Sequence, residues 1–146
     1  MRKALKPGGR VAMACWRNPR ENPWMLLPLQ AAVRHVPRLP ELGPEDPGPF
    51  SFANPQRVGR IFGEAGFASL AMQPVDLRLD LAVGRGLEGA VESALEIGPA
   101  SRAMQDQPAD LRAAATQAIR EALAPHLQGD KIPLAAAIWI LTAINS

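Results

Sequence analysis

The stretch Leu5-Lys6-Pro7-Gly8-Gly9-Arg10-Val11-Ala12-Met13-Ala14-Cys15-Trp16 decides how the rest of the chain is read. Pro7 has no N–H and disfavours helix at Lys6, while Gly8 and Gly9 tolerate positive φ, so any helix arriving from Met1 must stop here. Val11 to Trp16 is then a short unbroken apolar run. Such runs are read as strands buried on both faces of a parallel sheet. Met1 to Lys6 has no capping residue and is too short to hold a helix by itself, although its basic residues suit the negative end of a helix dipole. We read it as the last turn and a half of a helix, and Met1 as internal to a longer chain.

Working outward, the next punctuation is Asn18-Pro19 and Asn22-Pro23, a turn. Trp24 to Val36 then forms a short apolar helix interrupted at Pro28. Pro37 to Pro49 has no period and is too long for an ordinary connection. Asn54-Pro55 places a cap and a first-turn proline in the right order. Val58, Ile61, Phe62 and Ala65 come after it at helical spacing, and Gly66 supplies a stop. Phe67 to Leu81 alternates as a half-buried strand, with a bend expected at Pro74. From Leu87 to Leu127 the pattern is helical, broken near Gly98-Pro99 and Gln107-Pro108. After a turn at Gln128-Gly129-Asp130, Ile132 to Ile144 is apolar throughout, which suits a strand inside a sheet rather than at its edge.

Composition bounds the function. At 146 residues the chain is one domain at most, with 47% hydrophobic and 21% charged residues. A net charge of +2 is too small to argue for nucleic acid. Arg2, Lys3, Lys6, Arg10, Arg17 and Arg20 cluster near the start, but without an aromatic ladder, and are read as a solvated face. One cysteine excludes an internal disulfide and fits a reducing compartment, so a cytoplasmic location is expected. No apolar run approaches the roughly 20 residues of a membrane span.

Four features stand in one order: Leu5-Lys6-Pro7-Gly8-Gly9 before a strand, a helix closing on Ala65-Gly66-Phe67, a strand after it, and a final apolar strand at Ile138-Trp139-Ile140. This set resembles the C-terminal half of a class I S-adenosylmethionine-dependent methyltransferase, of the broad group that includes the ubiquinone and menaquinone biosynthesis enzymes. Trp16, with Asn22-Pro23-Trp24 after it, resembles a bacterial subgroup of that group. The resemblance implies an α/β fold that is part of a Rossmann-like sheet. Val11–Trp16, Ile132–Ile144 and Phe67–Leu81 would be its fifth, seventh and sixth strands, in that spatial order and with the seventh antiparallel. The helices from Leu87 to Leu127 would be an insertion. Residues 1–146 would then be the C-terminal part of one domain, with S-adenosylmethionine as cofactor and its binding motif upstream of residue 1. The neighbour of the fifth strand would be missing as well, leaving Val11–Trp16 with an exposed edge open to self-association.

The resemblance also bears on the site. Trp16 falls at the C-terminal end of its strand, where open α/β sheets place ligands. Trp24, Phe50 and Phe52 lie in the next segment, which in this family helps shape the pocket for a small-molecule acceptor. Ordinary packing is the competing role for each. No catalytic or cofactor-binding residue can be named in this chain.

A decoy competes for attention. Leu79-Asp80-Leu81-Ala82-Val83-Gly84-Arg85-Gly86-Leu87-Glu88-Gly89 contains G-x-G-x-x-G after a strand and before a helix. A second strand ending in a carboxylate should come about 20 residues on. Instead Val91 to Gln107 reads as helix, Gly-Pro, helix, and Glu88 would oppose a pyrophosphate. A plain strand-to-helix turn is expected. His35 and His126 have no ligand spacing and are read as partly exposed, so no metal is expected; Cys15 is read as a small buried hydrophobe. Three functions remain open: a methyltransferase fragment inactive alone, a non-catalytic orphan or interaction module, and a self-sufficient nucleotide-binding domain using Gly84, Gly86 and Gly89.

Overall fold

In the computed structural model the described residues are 2–41, 43 and 46–145. The chain is α/β. Three strands, β1 (Arg10–Trp16), β2 (Phe67–Asp80) and β3 (Pro133–Asn145), form one open sheet in the order β1-β3-β2. Five helices accompany them among the described residues: α1 (Pro23–Ala32), α2 (Pro55–Glu64), α3 (Gly86–Glu96), α4 (Pro99–Met104) and α5 (Ala109–Leu123). β1 runs antiparallel to β3, with Val11 opposite Ala143, Met13 opposite Leu141 and Cys15 opposite Trp139. The end of β2 meets the start of β3, where the Leu81 N–H donates to the Ile132 carbonyl at 3.0 Å. β3 therefore opposes both neighbours and holds the centre, as its unbroken apolarity predicts.

One expectation about β1 fails. Among the described residues its single neighbour is antiparallel, and its burial alternates: Val11, Met13 and Cys15 are half-buried, whereas Ala12 and Ala14 are exposed. The apolar run is a one-sided strand whose outward residues are small enough to look like core. Of the helix end read at Met1 to Lys6, the described residues show a 3-10 turn, Arg2–Ala4.

The Pro-Gly-Gly joint does behave as a stop, and its two glycines serve different ends. Gly8 adopts φ 74°, a left-handed conformation that costs a side chain strain. Gly9 is needed for space, because a Cβ there would sit 2.8 Å from the Lys6 carbonyl oxygen. Asn145 at the end of β3 clamps the joint. Its backbone exchanges hydrogen bonds with Gly8 and Gly9 at 2.8 Å each. Its side-chain Nδ2 donates to the Leu5 and Lys6 carbonyls at 2.9 and 3.1 Å, and its Oδ1 accepts from Arg2 Nε at 2.9 Å.

Where one domain is expected, the chain divides into two compact units. The first comprises Met1–Glu21, Leu42–Leu77 and Ala137–Ser146; the second comprises Asn22–Glu41 and Arg78–Ala136. In the first, α2 begins as its sequence predicts, with the Asn54 side chain accepting from the Gln56 N–H at 2.9 Å. Its buried Val58 and Phe62 pack on Leu141 and Ala143 of β3, with Val11 and Met13 beside them. Phe67, Leu70 and Met72 join this core from β2. Ser69, at φ 52°, interrupts the alternation, which lets Phe67 and Leu70 reach the same side.

The second unit is helical around a small-residue core. Ala31 and Ala32 of α1, Ala90 and Ala94 of α3, Ala100 and Ala103 of α4, and Ala115 and Ile119 of α5 are buried together. Alanine at these positions lets helices approach closely. The breaks at Gly98-Pro99 and Gln107-Pro108 fall between α3, α4 and α5 as expected. α1 instead runs through Pro28, which is itself buried; its packing in this core offsets the lost backbone hydrogen bond.

Candidate functional site

The C-terminal end of β1, in the first unit, gathers more chemistry than its sequence suggests. Arg17 continues from Trp16, and its N–H donates to the Ala137 carbonyl at 3.0 Å, so it stays in step with β3. That register puts its guanidinium over the Trp139 ring, 5.4 Å from the centroid. Two carboxylates hold it from other sides: Asp76 of β2 at 2.7 Å, and Glu21, four residues on. The Trp139 Nε1–H donates to the Ala53 carbonyl at 3.0 Å, tying the cluster to the segment that leads into α2. A cation stacked on an indole and fixed by two acids is a rigid, part-apolar surface.

Three of the four candidate aromatics lie in the first unit and one in the second. Trp16 is half-buried at the end of β1, where it pairs with Ile138 and alternation turns it to the face opposite Trp139. Phe50 and Phe52 are half-buried in the turn before α2, and the Phe52 ring meets Phe62 edge-on at 6.3 Å. Phe52 alone of the four lines a hollow of about 350 Å³, together with Arg2, Lys3, Ile61, Phe62, Ala65 and Phe67. Trp24 belongs to the second unit, where it packs against the alanine-rich core of the helices. Arg17, Asp76 and Trp139 do not announce themselves as site residues in the sequence. Arg17 reads as one of six basic residues near the start, and Trp139 as part of an apolar strand.

The glycine loop is a turn between β2 and α3, and its amides are in use. Asp80 Oδ1 accepts from the Ala82 N–H at 3.0 Å and the Ile132 N–H at 2.8 Å, and Oδ2 accepts from the Gly84 N–H at 2.9 Å. The Gly86 N–H donates to the Asp130 carbonyl at 2.8 Å. Desolvation alone would raise the Asp80 carboxyl, but these three N–H bonds, with the Lys131 charge, bring its pKa below the ordinary value. Gly89 makes room for the turn: a Cβ there would collide with Arg85 Cβ and lie 2.8 Å from the Ala82 carbonyl oxygen. The protein's own carboxylate thus occupies the place a phosphate would take. The loop does not fit a nucleotide, nor the methyl donor that the resemblance implies.

The remaining candidates are quiet. His35 and His126 are exposed, and no group of three or more metal-ligating side chains occurs among the described residues. Cys15 is half-buried rather than buried, and desolvation raises its thiol pKa, which makes it a poorer nucleophile. No helix among the described residues is long and apolar enough to cross a membrane. No protein-family model and no curated protein matches the chain.

Proposed function

We propose that the chain is the C-terminal, acceptor-side part of a class I S-adenosylmethionine-dependent methyltransferase of small molecules, cytoplasmic and inactive by itself. The observation that carries this reading is the sheet order β1-β3-β2, with the last strand antiparallel and lodged between the first two. That is the arrangement the resemblance implies for the fifth, seventh and sixth strands of the Rossmann-like fold. The helix preceding β2 and the helices between β2 and β3 agree with it. In this reading the Arg17–Trp139 stack forms part of the acceptor wall, where methyl transfer asks for positioning and dry surroundings.

The cofactor-binding portion would be encoded outside these 146 residues. Calorimetric titration of this chain with S-adenosylmethionine is expected to give no binding heat. The same titration on a chain extended by the in-frame sequence immediately upstream is expected to give saturable binding. Absence of an in-frame glycine-rich motif upstream overturns the reading. It would favour the second one, a non-catalytic module, which the occupied amides of the Ala82–Gly86 turn support.

A further inference from the structure

We propose that the hollow between the Arg2–Ala4 turn, α2 and the start of β2 binds a small aryl carboxylate, its ring among Phe52, Phe62 and Phe67 and its carboxylate toward Arg2 and Lys3. The proposal uses only the first unit and does not rest on the methyltransferase reading.

The hollow is an unfilled extension of the first unit's core. Phe62, 2% exposed, reaches it from that core, meeting Phe52 edge-on at 6.3 Å and tilting against Phe67 at 5.2 Å. Rings in this arrangement leave edges and faces to which a further flat ring can pack. Ile61 and Ala65 of the α2 end complete the apolar lining, the first half-buried and the second exposed. A volume of about 350 Å³ is ample for one small ring system, and few voids of that size are left in a close-packed interior.

Charge decides the polar end of the ligand. Both polar side chains of the lining are cations, and among the described residues no carboxylate lines the hollow; Glu64, beside Ala65 in sequence, is not part of it. Arg2 is held in place. Its Nε donates to Asn145 Oδ1 at 2.9 Å, and its guanidinium rests on Gly66, where a Cβ would come within 2.6 Å of Nη1. Asn145 is a neutral amide, so this bond positions the charge without cancelling it. Lys3 brings a second, exposed charge. The carbonyls ending α2 carry roughly half a negative charge, which two full positive charges outweigh. A planar carboxylate on a flat apolar body matches both halves of the hollow. The upstream part that the methyltransferase reading calls for would lie along the outer edge of β1, whereas this hollow opens where β2 starts, beyond β3.

Titration of the 146-residue chain with 2-naphthoate, followed by amide NMR, tests it. Saturable binding is expected with a Kd of about 0.1–1 mM, and with shifts centred on Phe52, Ile61, Ala65 and Phe67. The neutral analogue 2-naphthalenemethanol should bind about fivefold or more weakly. Lys3→Gln, an exposed change, should weaken 2-naphthoate several-fold and leave the alcohol unaffected. Ala65→Phe should fill the hollow and abolish binding of both; if that variant does not fold, Lys3→Gln still decides. No saturation by about 5 mM overturns the proposal, as do shifts centred elsewhere, equal binding of acid and alcohol, or binding indifferent to both substitutions. A chain extended by the in-frame upstream sequence should bind 2-naphthoate as well. Loss of binding there would mean that upstream residues fill the hollow, and overturns the proposal too.

Discussion

At the scale of single residues, two polar side chains organise the turns that the sequence marks only by glycine. Asn145 is 7% exposed and ties the Pro-Gly-Gly joint to β3 through both its amide and its backbone. Asn145→Ala strands the Leu5 and Lys6 carbonyls and is expected to cost about 1–3 kcal/mol, read by urea unfolding. Asp80 makes the corresponding clasp between β2, its turn and β3. Its pKa is lowered on folding, so its contribution to stability is complete above the unfolded carboxylate pKa, about 3.9, and fades as pH falls below that toward the folded value. Asp80→Asn is therefore expected to lower the melting temperature at neutral pH and to flatten its decline in acid. A variant whose acid profile superimposes on the wild type would exclude this role for Asp80. Neither role is legible in the sequence, because each depends on groups brought from the other end of the chain: Asp80 accepts from Ile132, and Asn145 donates to Leu5.

At the scale of elements, the legible part is what local sterics dictate. Asn54-Pro55 opens α2, Gly98-Pro99 and Gln107-Pro108 separate α3, α4 and α5, and the apolar run after Gly129 becomes a central strand. Asn54→Ala removes a cap bond of 2.9 Å and should cost about 1 kcal/mol, detectable as lost helix stability by calorimetry. The illegible part turns on partners. α1 passes through Pro28 because that proline is buried among other helices, and β1 reads as two-sided because Ala12 and Ala14 count as apolar wherever they point. In α5, which packs on α1 and α3, Ile119 is fully buried, so Ile119→Ala is expected to cost about 2–5 kcal/mol in thermal or chemical unfolding. The Arg17–Asp76–Trp139 cluster lies beyond reach for the same reason, since its ion pair spans 59 positions.

At the scale of the whole molecule, the chain is threaded between two compact units rather than laid out in sequence. The first draws on three separate segments, and β2 and β3 each begin in one unit and end in the other. Neither unit can therefore be cut out as a contiguous piece. Removing residues 137–145 is expected to abolish exchange protection at Val11, Met13 and Cys15 and along residues 67–77, because all of it is secured by β3. Protection that survives the truncation would mean that β1 and β2 can pair directly.

The central place of β3 has a consequence for synthesis. On the ribosome β1 is made first of the three strands and β3 last, with 116 residues between the end of one and the start of the other. Through that interval the nascent β1 lacks the strand it pairs with in the folded chain, and such unpaired strands are where aggregation begins. Refolding should be slow for so small a protein, limited by closing that long loop, and its yield should improve with dilution or with a chaperone that shields extended apolar segments.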